Sequence, residues 1–550
     1  MARHEDQTIK ADALDLSLWK RILDLAASEK KALKIALGFI LIESVIGVVK
    51  PLLNRRAFDV YFVGQGSKEE IIIYAIVYIL IIALQAYLIF QFVYRSGQIQ
   101  ANISYETRQK SMEKLQELSF SYYDTTDSGW IMARVTSDIG RLSAILSWSL
   151  IDLVWGGFIM LALLIVMLVI NWQLAMMVII IIPFVYFVSS WFQNRMLKNY
   201  RSLRAINSQI TSAYSEGISG AQTTKTLALE KTQYGEFSQL TENLRSKALK
   251  SIFLTSLYVP IITLLITLSE SGIIWLGSEM LVKNIIQVGT LIMFTQFSGS
   301  FFQPLQNIAQ ILSQLQMAQA SAERVLSLIE TEAAIQDRDE VIARYGTVLN
   351  PKPENYEPIV GGVEFKDVNF HYVENEPILE NFNLKVEPKQ RIALVGETGS
   401  GKSTIVNLIC RFYEPTSGSI MIDGKDYRDR SLAWLRSQLG YVLQSPHLFS
   451  GTIEDNIRYG KLDATEEEVI AAAKMVGAHD FITGFKEGYQ TDVGEGGGRL
   501  SSGQKQLISF ARAILVDPAI FVLDEATSSI DTETEMVIQH AVEHLLKDRT

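Results

Sequence analysis

A glycine-rich stretch at residues 396–403 has the spacing G-x-x-x-x-G-K-S. Glycines free the backbone to curl, so that successive N–H groups point inward at one phosphate chain. Lys402 adds a cation for the terminal phosphates, and the Ser403 hydroxyl is suited to ligate Mg²⁺. The apolar run 392–395 predicts a buried strand before this phosphate loop, and residues 404–411 predict a helix after it. The stretch therefore predicts a site for a nucleoside triphosphate.

Two acidic residues follow a second apolar run. Residues 520–523 predict a buried strand, which ends in Asp524 and Glu525. A carboxylate at a strand end beside a phosphate loop is where Mg²⁺ needs another anchor, so Asp524 is assigned to the metal. Glu525 is then placed to orient or deprotonate the attacking water. Two acids after an apolar run are common by chance, so the assignment depends on the phosphate loop in the same chain.

A further candidate phosphate contact is the start of a predicted helix at residues 500–504, which read LSSGQ. A serine and the backbone N–H groups at a helix start can face a phosphate. The alternative is an ordinary capped helix on the surface, and composition alone leaves both interpretations open.

The size and composition of the chain indicate more than one domain and a membrane location. Its 550 residues exceed what one hydrophobic core usually supports. Hydrophobic residues make up 48% and charged residues only 20%, which is less charge than a wholly soluble chain normally carries. The net charge of −10 gives no sign of a nucleic-acid-binding surface. A single cysteine, Cys410, excludes a framework of intramolecular disulfides and is expected to be a small buried residue.

Long uncharged stretches predict an α-helical membrane domain at residues 1–325. Residues 71–94 carry no charge and are long enough to cross a hydrocarbon core. The uncharged stretch 153–194 is long enough for two spans, with a natural hairpin at 171–173. Six transmembrane helices are predicted in all, and the other three lie at 36–49, 251–269 and 284–314.

The segments between the spans have helical spacing and few helix breakers. Residues 95–141 and 195–250 are therefore predicted to continue the spanning helices into the cytoplasm and to turn at 127–129 and 217–220. Before the first span, an amphipathic helix at 13–27 is expected to lie in the membrane interface, on a face made of Leu14, Leu18, Ile22 and Leu25.

The composition changes after the last predicted span. Residues 326–358 are charged, contain several prolines and predict a linker. From residue 359 to 550, strand-like and helical runs alternate, which predicts an α/β nucleotide-binding domain of the P-loop type.

Four motifs together resemble one family. GETGSGKST, YVLQSPHLF, LSSGQKQ and FVLDEATSSID occur in the order and at the spacing of ABC transporter ATPase domains. With six spans ahead of such a domain, nearly the whole chain resembles a half-transporter of the ABC exporter type, similar to multidrug exporters. The resemblance implies ATP-driven export of amphipathic small molecules, such as drugs or lipids, across the cytoplasmic membrane by alternating access in a dimer. It also implies ATP and Mg²⁺ as the bound groups.

The resemblance assigns roles to particular residues. Tyr372 would stack on adenine, and the phosphates would be held by Gly396, Glu397, Thr398, Gly399, Ser400, Gly401, Lys402, Ser403 and Thr404. Catalysis would rest on Glu525 as the base, with Lys402 and Gln444, and Mg²⁺ would be held by Ser403, Gln444 and Asp524.

Further roles concern the second subunit and the membrane domain. Ser501 and Gly503 would close over the γ-phosphate of ATP held by the partner subunit, and Asp531 would communicate across the dimer. Segments 129–138 and 216–226 are similar to the two coupling helices of the family.

The chain departs from the family pattern in two ways. Ser502 stands where the family favours glycine, which adds a side chain where backbone approaches phosphate. Heterodimeric exporters resemble this, so a heterodimer is modestly favoured over a homodimer. The family's next strand and its switch histidine do not appear before Thr550, and neither His540 nor His544 stands in that place. A longer protein is therefore expected, and hydrolysis depends on it.

Polar residues in the predicted spans give a first indication of the substrate. One face of the sixth span carries an amide ladder, made of Gln296, Gln303, Asn307, Gln310 and Gln314. A cavity wall and a helix–helix contact are equally compatible with it. Glu43 and Glu270 lie within or beside spans, where binding of a cationic substrate and a place near the head groups are equal alternatives.

The residues also bear on functions other than export. An ATP-gated channel or regulator would not need Glu525, and an ABC ATPase acting on nucleic acid would not need the uncharged stretch 153–194. An importer built on the exporter fold is left open by the residues.

Overall fold

A computed structural model describes residues 16–63, 67–397, 399–443, 446–523, 536, 539, 542–543 and 548–550, without the side chains of 16, 62–63, 306–310 and 312–313. The chain divides into two compact units. The nucleotide unit includes Ser111–Ile131 and Ile329–Thr550, and the membrane unit includes Met132–Leu328 with the described residues before Ser111.

Helices account for the membrane unit and for the segment Ser111–Ile131. In chain order they are α1 Leu16–Leu25, α2 Lys30–Ala57, α3 Lys68–Glu117, α4 Phe120–Thr125, α5 Ser128–Ala133, α6 Ile139–Ala144, α7 Leu150–Ile170, α8 Trp172–Ser219, α9 Ala221–Thr226, α10 Glu230–Val282 and α11 Val288–Glu330. Two π-helical turns, Arg134–Asp138 and Ile145–Ser149, join α5, α6 and α7 into one helical stretch.

Five helical stretches of the described chain are long and apolar enough to cross a membrane. They are Ala27–Tyr61, Lys68–Glu117, Ser128–Ile170, Trp172–Ser219 and Glu230–Val282. The predicted hairpin is confirmed, because α7 and α8 are separated at Asn171, whose side chain accepts hydrogen bonds from the N–H groups of Gln173 and Leu174. The sixth predicted span falls on α11, which is not among the five, so the total of six stays a prediction.

The spanning helices continue far beyond a bilayer, as predicted. Helices α3, α8 and α10 contain 50, 48 and 53 residues. At 1.5 Å per residue they are about 70–80 Å long, more than twice the ~30 Å hydrocarbon core. Helices α8 and α10 contact each other along their length through Ser189 Oγ and Tyr258 OH at 3.1 Å, and through Ser269 Oγ, which donates to the Met177 carbonyl at 3.2 Å.

Phenylalanines of α11 form the centre of the membrane unit. Phe294, Phe297, Phe301 and Phe302 are buried among residues of α7, α8 and α10. Gly156 of α7 lets Pro304 of α11 come close, because a Cβ built at Gly156 would lie only 3.0 Å from the Pro304 Cβ. The backbones therefore approach where a small residue allows it.

The structure corrects the prediction for the N-terminal amphipathic helix. Helix α1 is formed, but Leu18 and Ile22 are buried against Ile99 and Ile103 of α3. The apolar face that was expected to lie on lipid is therefore packed against protein, since neighbouring helices offer it a dry partner surface. Leu14 lies outside the described residues.

An ion pair ties α11 to the stretch before α6. Arg324 donates to both carboxylate oxygens of Asp138, at 2.7 and 2.6 Å, and Ser321 Oγ donates to the same group at 2.9 Å. A buried carboxylate with this many donors is satisfied, and removal of one partner would leave an uncompensated charge.

The described part of the nucleotide unit contains two sheets. One is antiparallel with the order β2-β1-β3-β4, made of β1 Val363–His371, β2 Pro377–Val386, β3 Ser417–Ile422 and β4 Lys425–Asp426. The other pairs β5 Leu439–Val442 in parallel with β6 Ile520–Leu523. The helices are α12 Asp339–Tyr345, α13 Lys402–Ile409, α14 Leu432–Ser437, α15 Ile453–Arg458, α16 Glu466–Met475, α17 His479–Thr483 and α18 Ser502–Leu515.

The predicted buried strand at 392–395 is wrong in this structure. These residues form no strand, and Val395 is 92% exposed. A strand needs a partner backbone, and the side of β6 that does not pair with β5 exchanges its hydrogen bonds with Thr550, at Ala519 and Phe521, and not with this run. The predicted strand at 520–523 and the helix after the phosphate loop are confirmed as β6 and α13.

The predicted linker is partly helical and docks on the nucleotide unit. Helix α11 continues to Glu330, and α12 follows at Asp339–Tyr345. Asp337 accepts hydrogen bonds at 2.9 Å from the guanidinium of Arg411 and from the Leu432 N–H. The boundaries 1–325, 326–358 and 359–550 stay a prediction.

The close contact between Gly156 and Pro304 predicts that a larger side chain at Gly156 lowers stability, with Gly157 as the control position. A Cβ at Gly157 meets nothing within 4 Å, whereas one at Gly156 meets Pro304. Both glycine-to-alanine changes gain the same helix propensity, but Gly156→Ala also overpacks the α7–α11 contact. We expect Gly156→Ala to be less stable than Gly157→Ala by roughly 1–3 kcal/mol in thermal or denaturant unfolding in detergent. Equal stabilities would contradict the close α7–α11 packing.

Candidate phosphate-loop site

The phosphate loop takes the backbone form that its glycines permit. Gly399 and Gly401 have φ of +90° and +89°, a region that side chains with a Cβ rarely adopt. Gly401 is the N-cap of α13, which begins at Lys402. A Cβ at Gly401 would stand 3.3 Å from side-chain atoms of both Ile378 and Leu379. The loop is therefore held tightly against β2 while its outer surface, from 396 to 400 apart from 398, is exposed.

Lys402 folds back over the loop. Its Nζ donates to the carbonyls of Gly396 and Glu397 at 2.7 and 2.8 Å. The ammonium group thus sits at the mouth of the loop, at the N-terminal end of α13, where a phosphate chain would find a cation and a helix terminus together. Ser403 is exposed on the first turn of α13, and Thr404 is buried. These features fit a bound triphosphate and leave the Ser403 hydroxyl open for a metal.

Tyr372 stands beside the helix that follows the loop. Its hydroxyl lies 3.4 Å from Thr404 Oγ1 and accepts a hydrogen bond from Asn407 Nδ2 at 3.3 Å. Its ring meets Tyr413 edge-on, with centroids 4.9 Å apart, and the side chain is 43% exposed. The structure therefore brings Tyr372 next to the phosphate loop and leaves part of its ring open, as a base-stacking role requires.

Ser501 caps the helix that starts at the LSSGQ motif. Its Oγ accepts from the Gln504 N–H at 3.2 Å, and Gln504 Oε1 accepts from the Ser501 N–H at 3.0 Å. This capping box leaves the hydroxyl proton of Ser501 able to donate to an anion. Gly503 is buried and Ser502 is exposed in the first turn. The hydrogen bonds that involve Ser501 stay at this helix start and do not reach the phosphate loop.

Five residues with predicted roles lie outside the described residues: Thr398, Gln444, Asp524, Glu525 and Asp531. His540 and His544, which do not stand at the family's switch position, also lie outside them. Strands β5 and β6 nevertheless end at the same edge of their sheet, because they pair in parallel with Val442 opposite Leu523. Gln444 and Asp524 follow these two positions closely in the chain. Among described residues, no three His, Cys, Asp or Glu side chains form a metal-binding group.

Cys410 follows α13 and is buried, as predicted. Burial raises the pKa of its thiol to about 12, so it remains protonated and unreactive.

Residues of the segment Ser111–Ile131 contact the end of α13. Phe120 of α4 stacks on Phe412, with centroids 4.6 Å apart and planes at 22°. Tyr413 donates a hydrogen bond to the Asp124 carboxylate. Burial and this carboxylate raise the pKa of the Tyr413 hydroxyl, which keeps it a donor. The contact therefore joins the helix that begins in the phosphate loop to α4.

This contact lies just before the first predicted coupling segment. The residues that contact Phe412 and Tyr413 are on α4, ahead of the turn at Asp127, and the assignment of 129–138 as a coupling segment stays a prediction. The prediction relied on Gly129 in this turn, whereas the residue that packs on Phe412 is the aromatic Phe120, before the turn. The sequence analysis did not identify Phe120, Phe412 or Tyr413 as functional residues. The feature that could have identified two of them is the aromatic pair Phe412 and Tyr413, directly after the helix that follows the phosphate loop.

Comparison with known proteins identifies the family. The family model of the ABC transporter transmembrane region matches residues 33–305, and the family model described as ABC transporter matches 379–528. The chain belongs to the ABC transporter family and is of the exporter type, with a membrane-spanning region fused to an ATP-binding ATPase domain.

Particular relatives extend along nearly the whole chain. An uncharacterized ABC transporter ATP-binding protein of Bacillus subtilis, YknV, is 32% identical over 541 residues, or 97% of this chain and 86% of the relative. An ATP-dependent lipid A-core flippase of Syntrophus aciditrophicus is 32% identical over 97% of this chain and 87% of its own length. A fatty acid ABC transporter ATP-binding/permease protein of Mycobacterium bovis is 34% identical over 82% and 70%, respectively.

The geometry of Tyr372 predicts which part of its side chain matters. Its hydroxyl makes only long hydrogen bonds, so Tyr372→Phe should bind ATP as the unmodified protein does. Tyr372→Ala removes the ring and should weaken ATP binding by about 5- to 100-fold, the loss of one base–aromatic stack. Calorimetric titration with ATP in detergent distinguishes the two variants. Equal weakening by both would assign the role to the hydroxyl instead.

Proposed function

We propose that the chain is one subunit of a dimeric exporter that uses ATP hydrolysis to move amphipathic small molecules out across the cytoplasmic membrane by alternating access. The observation that carries this proposal is the docking of α4 on the end of α13, because it gives helices of a membrane protein a direct contact with the phosphate-loop helix. The lipid A-core flippase and the fatty acid transporter among the relatives support an amphipathic, lipid-like or drug-like cargo.

The chain's own residues divide the chemistry between them. Lys402 and the loop N–H groups hold the phosphates, and Tyr372 holds the base. Ser403, Gln444 and Asp524 would hold Mg²⁺, which neutralises charge on the phosphates when bound. Glu525 takes the proton of the attacking water, and Gln444 orients that water. Because ATP hydrolysis needs little covalent participation by protein, positioning accounts for most of the catalysis.

The LSSGQ helix start serves the partner subunit's nucleotide. Ser501 keeps a hydroxyl proton for a phosphate, and Gly503 and the first turn of α18 supply N–H groups. Ser502 crowds this contact, which favours a heterodimer in which the partner carries the unaltered motif. Asp531 connects the two sites.

Coupling to transport requires that ATP bind the closed dimer more tightly than the open one. A shift from 1:99 to 99:1 between two states needs a difference of about 5.5 kcal/mol in binding free energy. The closure then moves α4 through its contact with Phe412 and Tyr413. The long helices carry the motion to the membrane spans, because a continuous hydrogen-bonded helix is stiff along its axis.

Substitution of the catalytic base tests the proposal. Glu525→Gln should leave ATP binding unchanged and lower both the ATPase rate and ATP-driven transport by at least about 100-fold, since no carboxylate accepts the proton. Glu487→Gln, which changes an exposed acid in a turn, is the control and should keep both rates. The protein is assayed in proteoliposomes together with its partner. Unchanged ATPase activity in Glu525→Gln would refute the catalytic assignment, and ATPase activity without transport of any amphipath would refute export.

A further inference from the structure

The exposed faces of the membrane helices differ in chemistry. The exposed side chains of α3 between 71 and 94 are mostly large and apolar, as suits contact with lipid, and include Ile72, Ile76 and Leu80. On α11, the exposed positions between 296 and 303 are Gln296, Gly299, Ser300 and Gln303. A face of amides, hydroxyl and glycine at membrane depth does not suit lipid and instead faces water or a polar ligand.

A second polar stripe lies on α10 beside the first. Thr263, Thr267 and Ser271 are exposed at helical spacing, with Glu270 half-buried between them. The two stripes adjoin, because Glu270 Oε1 is 3.7 Å from the point that a Cβ at Gly299 would occupy. The absence of a side chain at Gly299 therefore leaves the Glu270 carboxylate open toward α11. We call the surface formed by Thr267, Glu270, Gly299, Ser300 and Gln303 the α10–α11 groove.

The groove lies near the middle of the membrane. Glu270 is about 18 Å along α10 from its end at Val282, and Gly299 is about 16 Å along α11 from its start at Val288. With a hydrocarbon core of ~30 Å, both positions are remote from the head groups. This argues against the head-group location that the sequence left open for Glu270.

Glu270 and Glu43 are similar in depth but differ in partners. Glu43 accepts hydrogen bonds from Gln85 Nε2 at 2.9 Å and from Trp155 Nε1 at 3.3 Å, and Lys50 lies beyond Gln85. Glu270 has no hydrogen bond or ion pair with any described residue. A carboxylate in a region of low dielectric is costly unless a cation or hydrogen-bond donors compensate it. Glu43 has its compensation within the chain, whereas no described residue compensates Glu270.

The residues of the amide ladder on α11 differ in their contacts. Gln296 accepts from Asn54 Nδ2 at 3.2 Å, and Gln314 accepts from Ser149 Oγ at 2.9 Å, so these two join helices. Gln303 is exposed in the groove. Asn307 and Gln310 have side chains outside the described residues. Gln303 and Ser300 are thus the groups on α11 that remain for a ligand beside Glu270.

We propose that the α10–α11 groove binds the positively charged head of an amphipathic substrate, with Glu270 as the charged partner and Ser300 and Gln303 as hydrogen-bonding groups. This inference rests on the export function and specifies its substrate class as lipophilic cations. A lipophilic body is required, because a small hydrated ion would lose its water shell on entering the groove, whereas an amphipath contacts the apolar residues on either side.

Binding is tested without turnover, using tetraphenylphosphonium as the cation and triphenylphosphine oxide as a neutral aryl compound. Titrations are made on the full-length protein with its partner in lipid nanodiscs, in the absence of ATP. Glu270→Gln should weaken binding of the cation by about 10-fold or more and leave binding of the neutral compound unchanged. Glu43→Gln, an acid-to-amide change at similar depth, should keep the affinity for both.

A second variant addresses the opening at Gly299. Gly299→Leu fills the space beside Glu270 with a side chain and should also weaken cation binding, while Glu270→Asp should retain most of it. Cation affinity that is unchanged in Glu270→Gln, or lost equally in Glu43→Gln, would overturn the site. Neither result depends on ATP-driven transport by the unmodified protein, which is measured separately in proteoliposomes. Failure of this site can therefore be distinguished from failure of the export function.

Discussion

The stacking of Phe120 on Phe412 is the interaction on which the rest of the account depends. An aromatic pair of this kind stabilises a contact by about 0.5–1.5 kcal/mol beyond the burial of its area. The hydrogen bond from Tyr413 to Asp124 fixes its orientation. Phe412 follows α13 closely, and Lys402 is the first residue of that helix. Because α13 has 8 residues, a rearrangement of the phosphate loop reaches α4 through about two turns of helix.

The membrane unit is constrained by the absence of water in the bilayer. Each backbone N–H and C=O within lipid must be paired inside the chain, so the spans are helical. The sequence of these helices has no helix-ending signal at the membrane surface, so they continue past it. The pair between Asp138 and Arg324 then fixes the helical stretch before α6 to α11. A buried pair like this holds geometry more than it adds stability, because breaking it leaves a buried charge.

Local sequence rules predicted those parts of the protein in which a few adjacent residues decide the structure. The glycines at 399 and 401, the capping residue Ser501 and the hairpin at Asn171 all act within one turn of chain. The sequence misled where the outcome depends on distant partners. The run 392–395 is apolar enough for a strand but pairs with no described strand, since Thr550 bonds to β6 in its place, and Leu18 and Ile22 pack on protein instead of lipid. The difference between Glu43 and Glu270 likewise depends on neighbours from other helices.

The transmission of nucleotide closure through α4 is tested most directly by a distance within the membrane unit. Spin labels at Arg56, in the last turn of α2, and at Ile285, just after α10, are measured with and without trapped ATP, in the unmodified background and in Phe120→Ala. The account predicts that trapped ATP changes the distance by several ångströms in the unmodified protein, and that Phe120→Ala binds ATP equally well without the change. The same ATP-induced change in Phe120→Ala would contradict the account.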